Sequence, residues 1–318
     1  MTEEKEEEAA QPSALERRFA AFAQAVGIGA LPPSIAVGLL FYFGYVSSRR
    51  RFALFGLDLD MLDLSTQAVL LYGSEALWFP LAALFLAALL ALWGHVEINR
   101  LVRRRRRALI DDPAMRSPAL TLTGSALLVV AVLLIARGAA GTLAPDVAAG
   151  ETPGTSALCL GAGTLLGAYG RWLVTWRRVH RQRLLERAAA AAVVSLAVAS
   201  LFWASASYAI AYGRSRAADF VTGLDRRPEV VLDTTEPLDL GPEFAGVTES
   251  RLPEAKGRRF AYRYRRLRLL TESGGHLFLI SAEWPTGPRW PLIWRGGGTL
   301  VVPYDDHVRL SFLPYAGP

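Results

Sequence analysis

A membrane α-helical bundle of about five transmembrane helices, followed by a small, mainly antiparallel β domain, is the fold class this sequence predicts. Three observations carry it. Of 318 residues, 52% are hydrophobic and 20% charged, and the mean hydropathy of +0.25 is more apolar than an ordinary soluble domain. Five long, nearly uncharged stretches each approach the roughly 17 to 25 apolar residues that cross about 30 Å of hydrocarbon as a helix. From Arg214 onward the continuous apolar runs give way to short alternating ones, the pattern of half-buried strands. Because the first five runs are continuous rather than alternating, a helical bundle is expected over a barrel.

Residues 1–13 hold Glu3, Glu4, Glu6, Glu7 and Glu8 and no aromatic, and read as a disordered acidic tail with too little apolar surface to order itself. An acidic opening also argues against a cleavable signal peptide. Residues 14–213 form the transmembrane helical domain, with spans near 28–47, 76–96, 117–137, 157–176 and 188–212. Before the first span, Leu15, Phe19, Phe22 and Val26 recur at helical spacing as an amphipathic lead-in. Pro32 and Pro33 then kink or start the helix proper, and the sequence leaves open whether this span crosses completely. Between the first two spans, apolar residues alternate with Asp58, Asp60 and Asp63, as in a short interfacial helix or loop. Arg171 interrupts the fourth span and is expected to snorkel to the headgroups, because Trp172, Trp176, Arg177 and Arg178 follow at once. Trp78, Trp93, Tyr42, Tyr45 and Tyr212 also sit near span ends, where interfacial rings are favoured.

The orientation follows from the arginines. Lys5 and Lys256 are the only lysines, so the basic character is almost entirely guanidinium. Arg100, Arg103 to Arg107 and Arg116 flank one connection, and Arg171, Arg177, Arg178, Arg181, Arg183 and Arg187 flank another. Positive charge is retained in the cytoplasm, so both connections belong inside and residues 140–156, without Lys or Arg, belong outside. Five spans then give a multi-pass plasma-membrane protein with a cytoplasmic amino terminus and an extracytoplasmic carboxy-terminal domain. Arg49, Arg50 and Arg51 dissent, falling outside.

Few residues in the spans invite chemistry. Glu75, at the outer end of the second span, is the most plausible functional ionisable group; a carboxylate there serves as a proton or ion ligand in a transporter, or simply meets water or an arginine. Arg137 and His95, also at span ends, receive the same reading. Asp58, Asp60 and Asp63 suit a hard cation by ligand type, but without EF-hand spacing the bland reading is solvated carboxylates beside three arginines. Gly163 and Gly167, in GTLLG, place small residues four apart, where helix backbones approach closely. Ala192, Ser195, Ala199 and Ala206 of the fifth span offer an opposing face. Cys159 reads as a small buried hydrophobe.

Residues 214–318 form the extracytoplasmic β domain. A first strand is expected over 229–240. Phe260 to Ser281 reads as a hairpin turning at Glu272-Ser-Gly-Gly-His276, with a bulge near Arg265 or Arg266 where the apolar parity shifts. A last strand covers 307–312. Trp284, Trp290 and Trp294 lie between them among prolines and glycines. Such rings stack on sugars, seat in headgroups or cap a core; no acidic pair accompanies them, which favours capping or membrane contact.

The single Cys excludes a disulfide framework and a cysteine-ligated cluster. His276 and His307 stand apart in sequence, and no phosphate-cradling, nucleophile-elbow or zinc-protease motif is present. No catalytic residue, metal or cofactor is therefore expected. The expectation is a non-enzymatic surface-binding, sensing or scaffold protein acting through the β domain. A transporter or channel component using the bundle as its path, and a membrane-embedded enzyme, are the alternatives. The lipid bilayer is the first partner, with other membrane proteins, cell-surface material and a second copy of the chain also open. Nucleic acid is not expected, since arginine runs beside spans serve orientation and anionic lipid. FALFGLDLDMLDLSTQ and YRYRRLRLLTESGGHLFLISAEW resemble segments of uncharacterised multi-pass membrane proteins of high-GC actinobacteria; the resemblance implies a shared layout and no assigned activity, so it supplies no catalytic residue.

Overall fold

The computed structural model describes residues 33–110, 118–144, 146, 150–175, 183–254, 257, 259–284 and 297–314. The acidic tail and the lead-in helix lie outside them. Five helices come first: α1 (Pro33–Ala53), α2 (Thr66–Ile110), α3 (Pro118–Leu143), α4 (Thr155–Thr175) and α5 (Arg183–Thr222). A six-stranded antiparallel sheet follows, of β1 (Glu229–Thr234), β2 (Thr248–Arg251), β3 (Tyr262–Ser273), β4 (His276–Ser281), β5 (Thr299–Pro303) and β6 (Val308–Leu313).

Four helices, α2 to α5, are long and apolar enough to cross a membrane, where about five were expected. In its described part α1 is not among them, because Arg50 and Arg51 occupy its last turn. Lipid-facing surface is evident: 11% of the apolar window of α2 is buried, and Trp78, Phe85 and Trp93 point outward. α2 begins ten residues before the expected 76, since Ser65 caps it. The Ala68 N–H donates to Ser65 Oγ at 3.2 Å, meeting one of the orphan donors of the first turn. It then runs for 45 residues past Pro80 and through the arginine run. Nor does α5 stop at 212; it continues to Thr222, because Ala217, Phe220 and Val221 keep a buried face at helical spacing.

Glycines set the helix contacts. α3 packs chiefly on α4, α1 lies between α2 and α5, and α4 also touches α5. A Cβ on Gly163 would lie 3.0 Å from the Ala131 carbonyl oxygen, and one on Gly167 3.4 Å from Ala131 Cβ. Both therefore face α3 rather than the small residues of the fifth span. Gly161 is the one that turns to α5, with 2.9 Å between its position for Cβ and Ser200 Cβ.

The strand order is β5-β4-β3-β1-β6, and β2 pairs with β3 at Tyr262–Arg265. The hairpin of β3 and β4 turns on Gly274 and Gly275 at φ 56° and 72°, the left-handed pair that a two-residue type I′ turn requires. The expected bulge is present. The β1 partners step from Leu267 to Tyr264 while β1 itself advances from Val230 to Leu232, and Arg266 at φ 64° is the extra residue. β1 ends at Thr234 rather than 240, as the chain bends at Thr235 and Glu236 and Leu238 and Leu240 fold over one sheet face. There the Leu238 N–H donates to Tyr264 Oη at 2.8 Å. β6 falls one residue later than expected, and Phe312 on it is 54% exposed. β2 and β5 were not anticipated; β2 is exposed throughout and carries no apolar pattern.

Asp233 locks three strands together. Its side chain is 2% exposed and accepts from Arg263 of β3, at 2.8 Å from Nε and 3.1 Å from Nη2, and from Arg309 of β6, at 3.2 Å from Nε. Burial alone would raise its pKa, but the two guanidiniums outweigh that and hold the carboxyl below its ordinary value. Asp233→Asn is expected to cost about 2 kcal/mol, less than for a fully buried pair because Arg263 and Arg309 are 31% and 53% exposed and can rehydrate. The folded pKa is depressed, so this stability is present above the unfolded value of about 4 and is lost as pH falls through the lower folded value. Denaturation midpoints of the parent and the Asn variant in detergent should differ at neutral pH and converge in acid.

The helices and the sheet share one core. Phe52 at the end of α1 and Phe55, Leu57, Leu59 and Leu62 on the segment that follows it pack with Phe220 near the end of α5 and Leu224 just after it, with Leu270, Phe278 and Ile280 of the sheet, and with Trp284 just after β4. The alternation of Leu57, Leu59 and Leu62 with exposed Asp58, Asp60 and Asp63 is thus the pattern of a strip docked on a sheet. Two bonds fasten it: Ser273 Oγ donates to the Asp63 carbonyl at 3.3 Å and Thr299 Oγ1 to the Phe55 carbonyl at 2.7 Å. With its other face covered by Leu238, Leu240 and Val247, the sheet is buried on both sides. That is why β4 reads as a continuous apolar run.

Candidate functional site

Three helices converge just below this shared core. α1 contributes Ser47, Ser48 and Arg51, α2 contributes Tyr72 and Glu75, and α5 contributes Tyr212, Gly213 and Arg216. Backbone proximity brings them together. A Cβ on Gly213 would lie 2.2 Å from the Ser47 carbonyl oxygen, and one on Gly44 2.0 Å from the Val69 carbonyl oxygen, so α1 lies almost in contact with both neighbours.

Glu75 is half-exposed and bridges helices. Its Oε2 accepts from Tyr212 Oη at 3.2 Å and from Arg216 Nη2 at 3.1 Å. Opposite stands Arg51, whose guanidinium lies 5.5 Å from the ring centres of both Phe52 and Tyr72, close enough for cation–π attraction. Among the described residues its Nε has no hydrogen-bond partner, nor has the Oγ of Ser48, a residue 2% exposed. Such orphans are costly and call for a partner. The crevice between them holds about 10 Å³, room for a single water-sized group.

Of the other residues singled out by sequence, Trp284 is 6% exposed and packs against Phe55 with ring centres 5.6 Å apart, inside the shared core. Trp290 and Trp294 lie outside the described residues. Arg137 pairs with Glu151 beside a cavity of about 230 Å³ lined partly by Thr152, Ser156, Trp203 and Ser207. His95 joins α2 to α4. Asn99 Nδ2 lies 2.7 Å from its Nε2 and Tyr169 Oη 3.2 Å from its Nδ1. His276 Nδ1 lies 2.9 Å from the Gly274 carbonyl in the hairpin turn. Among the described residues no three of His, Cys, Asp and Glu are grouped to hold a metal ion.

The sequence reading found Glu75 but not Ser48, Arg51, Tyr212 or Arg216 as its neighbours. The available signal was the misplaced charge of Arg49 to Arg51. Compared with known proteins, the chain matches no family model, no curated protein and no solved structure. The geometry alone carries the functional argument for this membrane protein.

Proposed function

We propose that the chain is a non-enzymatic binding or scaffold protein of the plasma membrane, with a cytoplasmic amino terminus and a sheet presented outside the cell. The observation that carries this reading is the shared core: the sheet is seated on the segment between α1 and α2 and on the end of α5. This seating supports the orientation. It gathers the start of α2 and the end of α5 at one end of the bundle, as four crossings require, and the arginine run of α2 then belongs at the other, cytoplasmic end. A cytoplasmic amino terminus then requires α1, less apolar than the other four in its described part, to run alongside as a fifth crossing.

Contact is made by the sheet margins. Among the described residues the outer strands β5 and β6 leave one edge each unpaired, and Val301, Tyr304, Phe312 and Leu313 there are 42% to 57% exposed. Open edges with apolar side chains suit strand addition by a partner protein or other cell-surface material. The test uses the full chain in lipid nanodiscs as bait for solubilised envelope fractions, read against Phe312→Asp with Tyr304→Asp. Specific capture that the double variant abolishes is expected; equal capture by both, or none, would defeat the reading. A reporter enzyme fused after Pro318 that works only when exported should be active, and activity confined to a cytoplasmic reporter would reverse the orientation.

A further inference from the structure

We propose that the crevice between α1, α2 and α5 binds a phosphate group, with Ser48 and Arg51 donating to one of its oxygens and Arg216 attracting the rest. This goes beyond the presentation of the sheet; its account of Arg49 to Arg51 rests on the orientation proposed above.

Three independent observations meet there. The first is unspent hydrogen-bonding capacity: Ser48 Oγ and Arg51 Nε are buried atoms without partners among the described residues. Both residues line the crevice, and both atoms are hydrogen-bond donors. The second is charge. The crevice is lined by Arg51 and Arg216 against the single carboxylate of Glu75, which is already engaged by Tyr212 and Arg216. More arginines stand close by: the stem of Arg50 packs where a Cβ of Gly213 would be, at 3.2 Å. Arg227 lies 3.8 Å over the Phe220 ring, its pKa lowered by burial and by the charge of Arg51. The repulsion between Arg51 and Arg227 would be relieved by an anion in the crevice. The third is size and depth. An interior of about 10 Å³ is too small for a whole ligand but admits one phosphate oxygen, leaving the rest of the group at the mouth. Ser48, Glu75 and Tyr212 stand where the apolar stretches of α1, α2 and α5 end, the level at which lipid phosphates lie. This accounts for Arg49 to Arg51 on the wrong side of the charge rule: they answer an anion rather than the membrane potential.

A lipid headgroup and free phosphate share this chemistry, and the experiment separates them. The full chain in non-ionic detergent is titrated with dioctanoyl phosphatidylglycerol and, separately, with inorganic phosphate, following the thermal midpoint and binding heat. Saturable binding of the lipid is expected, with affinity falling about tenfold or more in Arg51→Gln, as for loss of a charge-assisted bond, and less in Ser48→Ala. Glu75→Gln is the discriminating variant. It removes the competing carboxylate and frees Arg216, so binding should tighten about threefold, whereas a merely structural role for the cluster predicts no gain. If inorganic phosphate gives the same Arg51-dependent response, the proposal stands with a soluble source. No binding of either probe, or binding that Arg51→Gln and Ser48→Ala leave intact, overturns it.

Discussion

Residues 223–318 expressed alone are expected to accumulate as insoluble or dye-binding material, although they contain every strand of the sheet. Severing them uncovers Leu270, Phe278, Ile280 and Trp284, all buried against the α1–α2 segment and α5. At about 1.5 to 3 kcal/mol for each large apolar side chain returned to water, the loss is roughly 6 to 12 kcal/mol, which is the whole stability of a typical domain. The exposed face would also be an aggregation surface. Fusing residues 52–64 ahead of the fragment through a flexible linker should restore part of the soluble yield. A cooperative urea transition from the unaided fragment, without dye binding, would mean that the sheet does not depend on this seat.

A comparable loss is expected from a single substitution in the membrane. In Gly44→Leu the new Cβ would lie 2.0 Å from the Val69 carbonyl oxygen and 2.8 Å from the Gly73 amide nitrogen. Those atoms are backbone and cannot rotate away, so α1 and α2 must separate. Overpacking a core costs about 1 to 3 kcal/mol where side chains can yield; here about 3 kcal/mol is a lower bound. Gly73→Leu, whose Cβ would meet the Leu40 carbonyl oxygen at 2.0 Å, should fail in the same way. Gly38→Leu supplies the control, because nothing lies within 4 Å of its Cβ position on the same helix. Monodisperse yield in mild detergent and the midpoint of denaturation by sodium dodecyl sulfate should be normal for Gly38→Leu and depressed for the other two. Equal behaviour of all three would remove the close crossing.

What could be read from sequence was what depends on near neighbours. The Gly274-Gly275 turn and the parity shift beside Arg266 are local signals, and the hairpin and bulge follow from them. The apolar runs likewise give the helices. Their ends were harder to place, because they depend on distant partners. Gly213 among polar residues resembles a helix stop, yet α5 passes through it and the missing side chain makes room for Ser47. The Leu–Asp alternation between α1 and α2 resembles a solvated loop until its cover is known; Ser273 is 210 residues from Asp63 in the chain. At the site, Glu75 stood out as a carboxylate at a span end, while Tyr212 and Arg216, 137 and 141 residues away, gave no sign of proximity. Arg51 was visible only as a breach of the charge rule, and β2, wholly exposed, had no burial pattern to betray it.

The 40 residues of α5 make a rod about 60 Å long, twice the thickness of the hydrocarbon layer. Its far end is fixed among Phe55, Leu270 and Trp284. A thinner bilayer is accommodated by tilting such a rod, and tilt about the membrane midplane sweeps its tip sideways in proportion to the overhang. Thinning of the lipid is therefore expected to shift the tip of the rod, and the sheet seated on it, sideways.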